Sequence, residues 1–80
     1  MYFVYVLKSL LKKKYYTGFT DNLADRLNDH NQGKSRYTKN FLPWQIVYSE
    51  KFQIKQEAIQ REKYFKSAAG RKWLKKNVNK

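Results

Sequence analysis

Hydrophobic and polar positions change rhythm several times along this chain. Residues 2–8, Tyr2-Phe3-Val4-Tyr5-Val6-Leu7-Lys8, are rich in aromatic and β-branched types and alternate poorly. That predicts a buried strand. A short basic connector, Leu10 to Lys14, leads to a second strand over Tyr15 to Thr20 that ends near Gly18. So short a link predicts an antiparallel hairpin. The period then becomes helical. Asn22 is a good N-cap, Asp25 stands three residues on to answer the free amides, and Leu23 and Leu27 form an apolar stripe. Asn31 and Gly33 end this helix.

Residues 32–40 are polar, basic and turn-rich, and predict a loop. Pro43 opens a third strand, Trp44 to Tyr48, with an extension to Phe52. A second helix is expected from about Lys55 to Lys66, with Ile54, Ala58, Ile59 and Phe65 at helical spacing. Gly70 is expected to break it, and a short third helix, Arg71 to Lys76, turns Trp73 and Leu74 inward. The basic tail, about 76–80, is expected to fray. The order is ββαβαα, an α/β (α+β) domain over residues 1–80 without repeat or linker.

Composition narrows the chemistry. Eighty residues make one domain with a small, marginal core. There is no cysteine, so disulfides, thiolate zinc clusters and a cysteine nucleophile are excluded, and a reducing compartment fits. His30 is the sole histidine, which excludes an all-His zinc site. No apolar run approaches the roughly 18 residues that span a bilayer. The first residues lack the basic n-region and cleavage site of a signal peptide, so a cytoplasmic protein is the default expectation. Lys and Arg number 18 against 6 Asp and Glu, a net charge of +12. That balance opposes folding through self-repulsion and points to a polyanionic partner. Binding to a membrane surface would want a long amphipathic helix, and none is evident.

Several residues carry candidate chemistry. Glu62 falls on the helical face of Ala58 and Phe65, where a carboxylate is costly unless paired or bound to a cation. An ion pair with a nearby Lys or Arg is the structural alternative. Glu57 points elsewhere and should be solvated. Arg26 and His30 stand one turn apart on one helix face. The guanidinium suits a phosphate and the imidazole suits proton transfer near neutral pH. The competing reading is an exposed Arg and a helix-terminal His. Asp21, Asp25 and Asp29 repeat every four residues and read as a solvated face rather than a metal site. Tyr5 and Tyr16, two of seven tyrosines, lie on the strands expected to pair. The loop Gly33 to Asn40 mixes basic, hydroxyl and aromatic groups suited to phosphate contact and base stacking. Residues 61–80 add a basic stretch that reads as an electrostatic footprint or as a solvated face.

Taken in order, Phe3-Val4-Tyr5, Tyr16-Thr17-Gly18, Arg26, His30, Arg36-Tyr37-Thr38, the Pro43 strand and Ala58-Ile59-Gln60-Arg61-Glu62 resemble the GIY-YIG nuclease superfamily. The likeness is to its small stand-alone bacterial members, of the group akin to the N-terminal domain of excinuclease C. It covers Phe3 to about Leu74. It implies a three-stranded antiparallel sheet flanked by helices, in agreement with the pattern above. It also implies that Glu62 is the sole protein ligand of one Mg²⁺ or Mn²⁺, and that Arg26 clamps the scissile phosphate. Tyr5 would help deprotonate the attacking water, Tyr16 would position water or phosphate, and His30 would accept a hydrogen bond or relay the proton. Which tyrosine acts as base is left open.

Phe3, Val4 and Thr17 depart from the family's Gly, Ile and Ile at positions of backbone packing. Phe19 stands where some members carry a basic residue, and Lys14 or Lys39 is the candidate replacement. Lys34, Arg36, Tyr37 and Lys66 complete the expected nucleic-acid contacts. The implied activity is a metal-dependent endonuclease of low sequence specificity, because no separate site-choosing domain is visible. DNA is expected over RNA, and a monomer is the default. The alternative is a non-catalytic basic nucleic-acid-binding module, and a docking protein for an acidic partner is a third class.

Overall fold

The computed structural model describes residues 1–78. Two strands, β1 (Tyr2–Ser9) and β2 (Tyr15–Thr20), form the expected antiparallel hairpin, with Tyr5 opposite Gly18 and Leu7 opposite Tyr16. β2 takes the expected bounds, its end falling at Thr20, two residues past Gly18. The third strand, β3 (Trp44–Phe52), takes the longer of the two expected extents and pairs antiparallel on the other side of β1. The sheet order is therefore β2-β1-β3, with β1 in the centre. A register shift opposite Val6 and Leu7 leaves Val47 unpaired, a bulge that bends β3.

A central strand covered on both faces has no polar side to show, which explains the poor alternation of β1. Val4 and Val6 turn to one face, Tyr5 and Leu7 to the other, and all four are buried. The Val4 face is closed by α2 (Lys55–Lys66) and α3 (Ala68–Asn77), whose Ala58, Phe65 and Leu74 complete one core cluster. The Tyr5 face is closed by α1 (Leu23–Asn31) and a 3₁₀ turn, Thr38–Phe41, which gather Leu23, Leu27 and Phe41 around Tyr5, Leu7 and Trp44. The caps of α1 follow the sequence. Asn22 Oδ1 accepts from the Asp25 amide at 3.1 Å, and Gly33 takes the left-handed φ of 79° past the C-terminus.

Four expectations need correction. The loop after α1 is not wholly irregular, since its last residues wind into the 3₁₀ turn. Gly70 does not break the second helix. The break is at Ser67, whose extended backbone and side-chain acceptor cap α3, and Gly70 lies inside the first turn of α3. Its lack of a side chain serves packing: a Cβ there would collide with the Tyr64 carbonyl, so glycine lets the two helices join at close quarters. Finally, α3 continues to Asn77, taking in the start of the stretch expected to fray. Residues 79–80 of that stretch lie outside the described residues. Ile54, expected on the apolar stripe, is the exposed N-cap of α2.

Candidate active site

The Tyr5 face of the sheet carries a buried polar cluster where a small domain would ordinarily place carbon. Tyr5 is 2% exposed and His30 is 0% exposed. The Tyr5 hydroxyl lies 3.1 Å from His30 Nε2 and receives the Arg26 Nε–H at 3.4 Å. On its far side the imidazole meets Thr38, also fully buried, with Nδ1 2.8 Å from Oγ1. The α-helical spacing of Arg26 and His30 brings both onto one phenol, and β1 delivers that phenol from the sheet. The Tyr16 ring packs on His30 at 4.9 Å between centroids, and Tyr5 and Tyr16 are 6.4 Å apart.

Arginine has no acceptor, so within the cluster the Tyr5 phenol can donate to His30 Nε2. In the tautomer that accepts there, the imidazole carries its hydrogen on Nδ1 and directs it at Thr38 Oγ1. The electrostatics agree. Burial pushes the Tyr5 phenol up to about 12, with the Arg26 hydrogen bond opposing and the charges of Tyr16 and Glu62 reinforcing. Burial, helped by the neighbouring Arg26 charge, lowers His30 below its ordinary value, so the ring is neutral. The hydrogen bond to Tyr5, chiefly, holds the Arg26 guanidinium more firmly protonated, with Tyr16 adding to it.

Neighbouring backbone holds this cluster rigid. The 3₁₀ turn is tied down by Trp44 Nε1 donating to the Thr38 carbonyl at 2.8 Å and by Ser9 Oγ donating to the Phe41 carbonyl at 2.6 Å. Asn31 brackets the Trp44 backbone, accepting its N–H at 2.6 Å and donating to its carbonyl at 3.1 Å. Gly18 is needed for room. A Cβ at that position would stand 2.6 Å from the Tyr5 oxygen, so the second motif's glycine makes space for the first motif's tyrosine.

Glu62 approaches from α2 and is half-buried. Its one hydrogen-bonding partner among the described residues is Lys66, at 3.4 Å one turn on. The alternative of an ion pair is thus partly realised, in a surface-type i,i+4 geometry worth only a few tenths of a kcal/mol. The second carboxylate oxygen accepts no hydrogen bond among the described residues, and it is the group there that could take a cation. Arg61 grips Glu50 on β3 through two hydrogen bonds of 2.9 and 3.2 Å and lies over the rings of Phe65, Tyr64 and Trp73 at 4.4 to 5.3 Å. Burial works to raise Glu50, but the hydrogen bonds from Arg61 and Tyr48 prevail and hold it below its ordinary value. Among the described residues no three His, Cys, Asp or Glu side chains cluster as a metal site. Asp21 and Asp25 are exposed, and Asp29 pairs with Lys34 at 3.3 Å and with Arg26 at 4.0 Å.

The other sequence candidates scatter more widely. Arg36, Tyr37 and Lys39 are exposed on the loop and turn after α1, and Lys14 sits 5.9 Å from the Phe41 ring. Tyr37 reaches back to stack on Tyr16 at 6.1 Å and 30°. In the sequence Thr38 figures only within the Arg36-Tyr37-Thr38 motif, with no role of its own. A threonine in a basic loop looks like any other, and only the fold reveals that it caps the buried imidazole.

Residues 1–77 match the GIY-YIG catalytic domain family. The UPF0213 protein YazA of Bacillus subtilis is 39% identical over 72 residues, covering 89% of this chain and 72% of YazA. The UPF0213 protein SH2523 of Staphylococcus haemolyticus is 39% identical over 75 residues, covering 92% and 90%. The match to the UPF0213 protein SAG0778 of Streptococcus agalactiae, 50% identical, spans only 59% of that protein's length. The solution structure of the UPF0213 protein BH0048 from Bacillus halodurans superposes with a TM-score of 0.55 at 30% identity, over 91% of this chain and 80% of that one. The chain therefore belongs to the GIY-YIG catalytic domain family, among its UPF0213 proteins.

Proposed function

We propose that this protein binds nucleic acid through its basic surface and hydrolyses phosphodiester bonds at the Tyr5–Arg26–His30–Glu62 cluster with Mg²⁺ or Mn²⁺. DNA is the expected substrate, and the likeness to the N-terminal domain of excinuclease C belongs to this reading. The observation that carries it is the Tyr5 hydroxyl, held in the interior between an arginine and a neutral histidine. A structural core has no need of such an arrangement, and a proton pathway does.

The protonation states suggest how the residues act. The Tyr5 phenol is too weak an acid, at about 12, to work as a standing phenolate. It can instead take a proton from water while passing its own to His30 Nε2. The imidazolium then formed keeps its Nδ1–H on Thr38. The hydroxide attacks phosphorus, the bond to the leaving oxygen breaks, and Arg26 neutralises charge growing on the phosphoryl oxygens. Tyr16 orients water or phosphate beside them. Glu62 fits a sparse Mg²⁺ site, since that ion keeps several waters and takes one or two carboxylates plus substrate phosphate. When bound, the ion would polarise the phosphoryl oxygen and stabilise the leaving oxygen.

A second reading, the non-catalytic nucleic-acid-binding module, is favoured by the net charge of +12 and by the lack of a three-ligand metal cluster among the described residues. Labelled single-stranded, duplex and branched DNA and RNA, incubated with Mg²⁺, Mn²⁺ or a chelator, separate the two. The nuclease cuts only with metal. The module binds with a steep salt dependence, cuts nothing and is indifferent to the chelator.

A further inference from the structure

Beside the Tyr5 cluster, along the free edge of β2, runs a cleft of about 480 Å³ lined by Tyr15, Tyr16, Thr17, Tyr37, Phe65, Lys66, Arg71 and Leu74. Its size falls within the roughly 300–1,000 Å³ of pockets that accept small ligands. The lining has a definite chemical character. Buried Phe65 and Leu74 supply an apolar floor. The stacked pair Tyr16 and Tyr37 supplies flat aromatic surface, and Tyr37 is 48% exposed. Lys66 and Arg71 supply positive charge, and no acidic side chain lines the cleft. Arg71 makes no ion pair among the described residues.

The cleft is also joined to the site already described. The Tyr16 ring contacts both Tyr37, at 6.1 Å, and His30, at 4.9 Å between centroids. Lys66 at the opposite wall is the residue that touches Glu62. Whatever occupies the cleft lies one step from the phosphate that Arg26 would hold.

We propose that this cleft is a subsite for an unpaired nucleobase adjacent to the phosphate bound at the Tyr5–Arg26 cluster, so that the substrate is a single-stranded or locally opened segment. The inference rests on the nucleic-acid reading above and adds its substrate class. A base has a π-face for Tyr37 and carries phosphates on either side for Lys66 and Arg71. In a closed duplex its faces are already stacked and its edge is paired, so it cannot enter. Stacking of this kind is tolerant of sequence, in keeping with a single small domain.

Fluorescence anisotropy with chelator present, so that nothing is cut, tests it. Three probes are used: a labelled single strand, its blunt duplex, and an abasic strand of equal length and charge. Wild type should bind the intact strand about tenfold more tightly than the abasic strand, the scale of one stacked base, and should prefer it to the duplex. Tyr37→Ala should collapse the intact-to-abasic ratio toward one, and Tyr37→Phe, which keeps the ring, should restore it. Equal binding of intact and abasic strands, or a ratio untouched by Tyr37→Ala, overturns the subsite while leaving nucleic-acid binding in place. Binding of dAMP alone as tight as that of the strand overturns the strand-borne assignment in favour of a free nucleotide. Failure to bind any probe, abasic strand included, overturns the nucleic-acid reading itself.

Discussion

On one face of the sheet Val4 and Val6 meet Ala58, Phe65 and Leu74, and the Arg61–Glu50–Tyr48 network beside them stays half-buried. On the other, Tyr5 shares its interior with His30 and Thr38, two polar side chains with no exposure at all. Both faces belong to the same central strand, at alternate residues. In a chain of 80 residues apolar burial is scarce. Giving half of one layer to hydroxyl and imidazole therefore sacrifices stability that the α2 and α3 layer must make good. Polar groups are kept in such a place when every one is satisfied and their geometry is wanted. The satisfied chain from Arg26 through Tyr5 and His30 to Thr38 meets that condition. The difference between the faces is the ground on which the proposed chemistry is assigned to the Tyr5 side.

The comparison can be broken most forcefully on the apolar side. Phe65→Ala should cost about 3–5 kcal/mol of stability, read by urea unfolding, because it empties a fully buried site and strips the ring from beneath Arg61. On the polar side Arg26→Ala should slow metal-dependent cleavage by about 100- to 1,000-fold, the usual loss for one charge-stabilising donor. Its melting temperature should move far less than that of Phe65→Ala, since Arg26 is only half-buried. A folding defect as large as that of Phe65→Ala would make the Tyr5 face a second structural core instead. Thr38→Val keeps the shape and leaves the His30 Nδ1–H unpaired. It should cost about 1–3 kcal/mol and shift the pH profile of cleavage. An unchanged profile would detach Thr38 from the proton pathway.

The smallest effect is spectroscopic. Burial raises both Tyr5 and Tyr48 to about 12, with Glu50 helping to raise Tyr48. Their folded values lie above the ordinary value near 10, so the folded state holds more protons between about pH 10 and 12, and stability falls as pH rises through that window. Ultraviolet titration should find two phenols that resist ionisation until the protein unfolds. His30 has the opposite sign. Its folded value lies below the ordinary one near 6.5, so stability present at neutral pH is lost as pH falls through the acid range.

Much of this was legible in the sequence. The run Tyr2 to Leu7 announces a buried strand, and Asn22 and Gly33 bracket α1 through local chemistry that needs no tertiary contact. Arg26 and His30 follow from helical spacing alone. What escaped was set by contacts distant in sequence. Gly70 looks like a breaker, yet its role is to let α3 close on the Tyr64 carbonyl. The 3₁₀ turn at Thr38–Phe41 is fixed by Ser9 and Trp44, and no local pattern encodes those partners. Thr38 and the cleft beside Tyr37 depend on that turn and were hidden with it.

The proposed cleavage at the Tyr5 cluster depends on a metal ion held at Glu62. The direct test is the single-turnover cleavage rate of wild type and Glu62→Gln on the same labelled strand with Mg²⁺, each at saturating protein. Gln keeps the shape and removes the charge. The account predicts a loss on the order of 1,000-fold, the several kcal/mol a metal supplies, with affinity for the strand retained. Cleavage by Glu62→Gln at the wild-type rate would contradict it.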